Sequence, residues 1–216
     1  MDIKVDVLLI GFLVRDDDGN VISKLTSSTS TLIRTPDRNI VVDTGNRSMA
    51  EGIRTSFKQI GIFRDEVDTV ILTHKHSDHI GNLRMFPKAE VMIHEGELPF
   101  EGATVMRGGA VDICPGVRVV HAPGHSPGSC IVTVKSDRTY VIAGDVCPTK
   151  DNFVKNIIPR LNTDPDAAQR SLDMVREVAD VVIPGHGRPF FTKKAGGTPG
   201  KHMRSLSYGV GCFPTY

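Results

Sequence analysis

The chain has 216 residues, 39% of them apolar, so it can bury a proper core in one large domain or two small ones. Lysine and arginine number 26 against 25 aspartates and glutamates, and this balance does not indicate nucleic acid or an anionic membrane as a partner. No segment approaches the ~20 consecutive apolar residues that a membrane-spanning helix requires. Acidic residues near Met1 and four cysteines without a CxxC pair predict a cytoplasmic protein.

The first 60 residues predict strands followed by a helix. Residues 3–14 and 21–25 are rich in Val, Ile and Leu and flank an Asp-Gly-Asn turn, which predicts a hairpin. Residues 31–33 and 39–42 form a second strand pair around a Thr-Pro-Asp turn. Apolar positions spaced four and three apart predict an amphipathic helix over residues 49–60, ended by Gly61.

From there, short apolar runs alternate with helical or loop segments. The runs predict strands at residues 69–72, 91–93, 117–120, 130–134, 140–143 and 181–183. Thr163-Asp164-Pro165 supplies a cap and an early proline for a helix over residues 167–179. With no repeat and no clear linker, we expect one α+β domain over residues 1–194 and a glycine-rich extension over residues 195–216, which could serve as an arm for an oligomer.

Histidines and one aspartate cluster directly after the apolar run that ends at Leu72. The segment 73–79 reads Thr-His-Lys-His-Ser-Asp-His and places four potential metal ligands within six residues. Imidazole and carboxylate without thiolate suit a borderline metal such as zinc, iron or manganese. The cluster therefore predicts a metal site at the end of a buried strand.

Three further ligand candidates stand at the ends of later strands, each beside glycine. They lie in Pro-Gly-His-Ser-Pro-Gly around His125, in Ala-Gly-Asp ending at Asp145, and in Pro-Gly-His-Gly around His186. Glycine allows the sharp turn and the close approach that a site on the rim of a sheet needs.

These motifs, in this order and with Val-Val-Asp-Thr-Gly around Asp43, resemble those of the metallo-β-lactamase superfamily. The resemblance runs from about Val41 to His186 and implies a four-layer αβ/βα sandwich of two mixed β-sheets flanked by helices. It is strongest to small single-domain members without large inserts.

The resemblance also implies a set of metal ligands for two divalent ions, zinc by preference, with iron and manganese as alternatives. The ligands of the first ion are His74, His76 and His125. Those of the second ion are Asp78, His79 and His186. Asp145 bridges both ions, and Asp43 supports the histidine loop without contacting metal.

Two such ions that share one water lower its pKa from 15.7 toward ~7, so a bridging hydroxide can attack at neutral pH. In this scheme Asp145 sets the spacing and Asp78 orients the hydroxide. The expected function is hydrolysis of an ester, thioester, lactone or phosphodiester bond. The expected substrate is a small molecule or a phosphodiester. The segments 97–109 and 147–162 are the expected substrate loops. Weaker candidates for substrate contact are Lys150, Asn152 and Lys155, and Tyr208 and Tyr216 would reach the substrate if the tail folds back.

Two other functions use nearly the same residues and stay open. A persulfide dioxygenase-like oxidoreductase keeps the same His-x-His-x-Asp-His wording but uses a single iron. An RNA endonuclease of the same superfamily is the other alternative. Proteins in which metal is structural usually have closed tetrahedral sites, which this ligand set does not resemble.

Other histidines and cysteines have simpler interpretations. We expect His94 and His202 to lie on the surface, His121 to hydrogen-bond near a strand end, and Cys147 to be a buried packing residue. The basic residues Lys193, Lys194, Lys201 and Arg204 are interpreted as a solvated tail.

Overall fold

The computed structural model describes residues 2–195 and 203–205. Its strands are β1 (Lys4–Leu9), β2 (Ser30–Arg34), β3 (Asn39–Val42), β4 (Thr69–Ile71), β5 (Glu90–His94), β6 (Thr104–Met106), β7 (Ala110–Cys114), β8 (Val117–His121), β9 (Cys130–Lys135), β10 (Thr139–Gly144), β11 (Val181–Pro184), β12 (Phe190–Phe191) and β13 (Met203–Ser205). Its helices are α1 (Ala50–Ile60), α2 (Ser77–Ile80), α3 (Lys150–Lys155) and α4 (Pro165–Val178).

Two mixed sheets form within the described residues. The seven-stranded sheet has the order β13-β1-β2-β3-β4-β5-β6 and runs parallel from β3 to β6. The six-stranded sheet has the order β12-β11-β10-β9-β8-β7, with β10 and β11 parallel. The parallel strands β4, β10 and β11 end in loops that carry predicted metal ligands, and the antiparallel strand β8 precedes His125.

The long helices form where sequence signals coincide. The N-cap of α4 is Asp164, whose carboxylate accepts a hydrogen bond from Ala167 N at 2.9 Å, and Pro165 occupies the first turn. Helix α1 ends at Ile60, and the next residue, Gly61, caps it in a left-handed conformation with φ 76°. Both helices were predicted within a few residues of these bounds.

Three apolar clusters show how the layers stack. One contains buried side chains of both sheets, such as Val5 and Ile142, and so fills the space between them. A second joins Phe57 of α1 to the outer face of the seven-stranded sheet, and a third joins Leu172 of α4 to the six-stranded sheet. The order helix, sheet, sheet, helix confirms the predicted four-layer sandwich.

Several local predictions were wrong. Residues 21–25 do not form a strand: the segment between β1 and β2 pairs only through the isolated bridges Arg15–Val21 and Phe12–Ser27, and a turn follows at Ile22. The run at residues 181–183 forms β11 as predicted, and the two-residue strand β12 that follows it was not anticipated. Strands β6 and β7 and helix α3 were not anticipated, since their short, half-exposed sequences carry no clear periodicity.

The predicted extension over residues 195–216 lies mostly outside the described residues. The residues outside the described part include the candidates His202, Tyr208 and Tyr216 and the basic residue Lys201. The described strand β13 of the extension pairs in parallel with β1, Val5 being opposite Met203. The domain boundary at Lys194 stays a prediction. Among the helices of the described residues, none has the length and apolar character to cross a membrane.

Candidate metal centre

The histidine-rich segment follows β4 and belongs to the seven-stranded sheet. Helix α2 is a single turn that begins after His76, and His79 N donates to His76 O at 2.9 Å. Asp78 and His79 belong to a different group of candidate ligands from His74 and His76, although the rings of His74 and His79 lie only 4.0 Å apart. His74, Asp78 and His79 are buried, and His76 is partly exposed.

The other three candidate ligands come from the six-stranded sheet. His125 follows β8, Asp145 follows β10 and His186 follows β11. Gly185 has to be glycine, because a Cβ atom there would lie 2.2 Å from the Asp145 Oδ1 atom. The site therefore lies where the loops of the two sheets meet.

The first group of candidate ligands brings three imidazole nitrogens together. His125 Nε2 lies 3.2 Å from His74 Nε2 and 3.1 Å from His76 Nδ1. Asp145 Oδ2 lies 3.6 Å from His125 Nε2. A single shared proton can satisfy two such nitrogens but not three, whereas one cation can accept all three lone pairs together with the carboxylate.

The second group contains Asp78, His79 and His186. Asp78 Oδ2 lies 3.9 Å from His79 Nε2 and 3.7 Å from His186 Nε2. Asp145 Oδ1 lies 3.5 Å and 3.1 Å from the same two nitrogens. The two carboxylate oxygens of Asp145 therefore face different groups.

Hydrogen bonds to the Nδ1 atoms orient the rings of His125 and His186. His125 Nδ1 donates to Leu161 O and His186 Nδ1 to Ser27 O, each at 2.8 Å. Since a carbonyl oxygen can only accept, each Nδ1 carries the hydrogen and each Nε2 presents a lone pair to the centre.

Asp43 supports the loop after β4, where the sequence placed it. Its carboxylate accepts hydrogen bonds from Thr73 N at 2.8 Å and Thr73 Oγ1 at 2.7 Å. The same carboxylate lies 2.8 Å from His79 Nδ1. Asp43 thus orients His79 without joining either group of ligands.

The electrostatic environment divides the histidines. Burial and the neighbouring His79 hold the pKa of His74 well below its ordinary value, so its ring is neutral. Burial also opposes charge on His79, but Asp43 and Asp145 outweigh it and raise the pKa of His79 well above its ordinary value. Although burial acts in the opposite direction, His186 and His79 lower the pKa of Asp145 well below its ordinary value.

Two buried polar atoms at the centre lack a hydrogen-bond partner, namely His79 Nε2 and Asp145 Oδ1. Buried polar atoms are normally satisfied, and a cation bound between these two atoms would satisfy both. The residues therefore fit a metal, and the donor set of five imidazoles and two carboxylates suits zinc, iron or manganese.

Glu97 supports the site, although the sequence predicted no role for it beyond membership of the loop 97–109. Its buried side chain accepts from Lys75 N at 2.8 Å through Oε2. Through Oε1 it accepts from Ser126 Oγ at 2.5 Å and Gly128 N at 3.0 Å. Glu97 thereby joins the loop of His74 and His76 to the loop of His125. A single glutamate in a loop gives no sequence signal for this role.

A cavity of about 430 Å³ opens over the centre. Leu13, Val21 and Leu161 give it apolar walls, and Arg15 and Arg160 line it as well. Arg160 Nη1 donates to Gly19 O at 3.1 Å, which joins the segment after β1 to the loop before α4.

The predicted substrate loops are only partly right. Pro148, Pro159, Arg160 and Leu161 of segment 147–162 line the cavity, whereas the described residues that line it include none from 97–109. The segment after β1 takes that place.

The weaker candidates after Asp145 also lie elsewhere. The described lining of the cavity contains none of Lys150, Asn152 and Lys155. Asn152 instead accepts a hydrogen bond from Thr149 at the start of α3, and Lys155 pairs with Asp151 at 2.7 Å.

His94, His121 and Cys147 have structural roles. His94 is buried, so its predicted surface position was wrong; it stacks on His121 with ring centroids 4.0 Å apart. His121 Nε2 donates to Pro127 O at 2.8 Å. Cys147 is buried, as expected of a packing residue, and burial raises the pKa of its thiol to about 12.

Comparison with known proteins agrees with this geometry. The family profile of the metallo-β-lactamase superfamily matches residues 24–186. The chain belongs to the metallo-β-lactamase superfamily. The described residues include two groups of histidines and aspartates that are able to hold metal.

Similar proteins come from animals, archaea and bacteria. Metallo-beta-lactamase domain-containing protein 1 of Mus musculus is 37% identical over 70% of this chain and 60% of its own length. A probable metallo-hydrolase of Methanocaldococcus jannaschii is 35% identical over 86% of this chain and 87% of its own. A structure from Thermotoga maritima, provisionally assigned to the metallo-β-lactamases, has a TM-score of 0.73 at 21% identity and covers 89% of this chain and 100% of its own.

The chain spans about three-fifths of the length of the mammalian relatives that it matches. This partial match carries no information on the substrates of the longer proteins.

Proposed function

We propose that this chain is a binuclear metallohydrolase. The residues that would hold the metals are His74, His76 and His125 for one divalent ion and Asp78, His79 and His186 for the other, and Asp145 would serve both. The observation that carries the proposal is the position of the two Asp145 oxygens, one facing each group of ligands, with Oδ1 buried and without a hydrogen-bond partner.

When bound, a pair of divalent ions supplies a Lewis acid and a nucleophilic hydroxide at neutral pH. The protein holds the ligands in place before the reaction begins. The Nδ1 hydrogen bonds of His125 and His186 keep their Nε2 lone pairs aimed at the centre, and Asp43 does the same for His79. Asp78, which lines the cavity, is positioned to orient the attacking oxygen.

The substrate we propose is a small molecule with an ester, thioester, lactone or phosphodiester bond. A volume of about 430 Å³ is in the range of small-molecule sites. Leu13, Val21 and Leu161 would contact an apolar substituent, which leaves the reacting bond at the polar floor of histidines and aspartates. Zinc is the proposed metal, and the free thiols of Cys114, Cys130 and Cys147 are consistent with a reducing, cytoplasmic setting.

Metal counting tests the proposal directly. The protein is purified without added metal, and metals per chain are measured by inductively coupled plasma spectrometry for wild type and Asp145→Ala. We expect about two ions per wild-type chain and a fall toward one in the variant, since removal of the bridge weakens both positions. Asp112→Ala is the matched control, because Asp112 is exposed on β7 and pairs only with Arg118.

Wild-type protein with two ions should then hydrolyse members of an ester, lactone and phosphodiester panel, and Asp145→Ala should lose this activity. One iron per chain, with oxygen consumption in the presence of a persulfide, would overturn the binuclear proposal in favour of the dioxygenase alternative.

A further inference from the structure

A second cavity, of about 650 Å³, lies beside the loop that follows α2. Four arginines from separate parts of the sequence line it: Arg47, Arg54, Arg64 and Arg84. The apolar residues Ile80, Leu83 and Met85 also line it. The fold therefore gathers positive charge that is dispersed in the sequence of a nearly neutral chain.

This charge is mostly uncompensated. Among the described residues that line the cavity there is no aspartate or glutamate. Arg54 pairs with the exposed Glu51 at 3.1 Å, whereas no described carboxylate lies within ion-pair distance of Arg47, Arg64 or Arg84.

The two acids next to Arg64 in the sequence make their close contacts elsewhere, although Lys88 and, to a smaller extent, Arg64 lower the pKa of Asp65. Asp65 pairs with Lys88 at 3.0 Å, and Glu66 accepts a hydrogen bond from Phe63 N at 2.6 Å. Like charges that line one concavity repel each other, so a bound anion would stabilise the arrangement.

We propose that this cavity binds a phosphate-bearing anion. Guanidinium groups present several N–H donors in a planar fork that matches phosphate oxygens, and they remain charged at every physiological pH. Four of them can surround one phosphate group or follow neighbouring phosphates. The apolar lining residues Ile80, Leu83 and Met85 would contact the carbon-containing part of the ligand.

The site is separate from the candidate metal centre. The described lining residues of the two cavities have no member in common. Helix α2 lies between them: Asp78 lines the metal-centre cavity, whereas Ile80 and Gly81 line the arginine cavity. The inference thus does not depend on the reaction at the metal centre.

The test is a titration of the metal-loaded protein observed through the arginine Nε–Hε signals in ¹⁵N NMR spectra. The probes are inorganic phosphate and, separately, a six-nucleotide single-stranded oligothymidine. Each titration is compared with sodium chloride at equal ionic strength. We expect the signals of Arg47, Arg54, Arg64 and Arg84 to shift, while those of Arg38 and Arg170, exposed on other surfaces, stay in place.

A double variant gives the quantitative test. Arg47→Gln with Arg84→Gln should weaken phosphate binding about tenfold or more, since two charge-assisted contacts are lost. Arg38→Gln with Arg170→Gln removes the same net charge elsewhere and should change binding by no more than about twofold. The four substituted arginines, Arg47, Arg84, Arg38 and Arg170, are all exposed, so we expect both double variants to fold. A difference in phosphate affinity between them then reports on the cavity.

The two probes distinguish the sources of the phosphate group. Shifts at lower concentration with the oligonucleotide identify a chain of phosphodiesters as the ligand class, and shifts with phosphate alone identify a free phosphate or phosphate monoester. If the four signals move no more than in chloride, or if both double variants bind phosphate as wild type does, the proposal is overturned.

Discussion

Glu97 shows how much one buried carboxylate contributes to the arrangement of the candidate metal centre. It accepts hydrogen bonds from Lys75 N, Ser126 Oγ and Gly128 N, and so connects the loops of His74 and His125. Because donors face both carboxylate oxygens, an amide in this place would set its NH₂ group against at least one donor.

Glu97→Gln should therefore weaken metal binding although Glu97 touches no metal. Groups that hold metal ligands in place typically contribute about 10–100-fold in affinity, and we expect a loss of that order in zinc competition with a chromophoric chelator. Glu95→Gln is the matched control, because Glu95 is two residues away and pairs at the surface with Arg107. Equal zinc affinity in the two folded variants would show that Glu97 does not position the ligands.

At the scale of elements, the loop that carries His125 packs against the start of α4. Gly124 has φ 131°, and a Cβ atom there would lie 2.2 Å from Ala168 N. Gly124 O also accepts hydrogen bonds from Thr163 N and Asp164 N, just before α4. Helix α4 thus acts as a rigid support for the His125 loop.

Gly124→Ala should destabilise the protein by more than the strain of a positive φ alone. Gly102→Ala is the matched control, with φ 83° and open space around its Cβ position. We expect the free energy of unfolding of Gly124→Ala to fall below that of Gly102→Ala by about 1–3 kcal/mol, the usual cost of overpacking. Chemical denaturation measures this difference, and equal losses in both variants would contradict the close packing against α4.

The elements that could be predicted from the sequence are those in which one periodicity is uninterrupted. The buried run of β4 and the 3.6-residue spacing of α1 gave their positions within about two residues, which is the ordinary uncertainty of element ends. Residues 21–25 look equally apolar, yet Leu25 is exposed and no neighbouring strand is there to pair with it. Strand formation depends on a partner, and the local sequence does not contain that information.

The residues of the candidate site likewise include some that the sequence predicts and some that it does not. Ligands grouped in short motifs, such as His74 and His76, were found because their spacing is visible in the sequence. Glu97 and the four arginines of the second cavity were missed, since only the folded chain brings them together. Net charge conceals such a local concentration, because it averages over the whole surface.

For the whole molecule, the main consequence of the site is a link between the two sheets. Four of the seven candidate ligands follow β4 of the seven-stranded sheet, and three follow β8, β10 and β11 of the six-stranded sheet. Ions held by both sets would join the halves of the sandwich at one edge. A ligand that binds only the folded state stabilises it in proportion to the logarithm of its concentration over its dissociation constant.

Removal of metal should therefore lower the thermal stability of the entire fold. Occupancy at about 100 times the dissociation constant contributes about 2.7 kcal/mol per ion. For a chain of this size each ion corresponds to roughly 5–10 °C in Tm, so removal of both ions by a chelator should lower Tm by roughly 10–20 °C, restored by added zinc. Asp112→Ala should show the full fall, and Asp145→Ala, which has lost the bridge, a smaller one. If wild-type protein shown to be free of metal unfolds at the temperature of the loaded protein, the ions do not link the sheets, and the seven ligands act on chemistry alone.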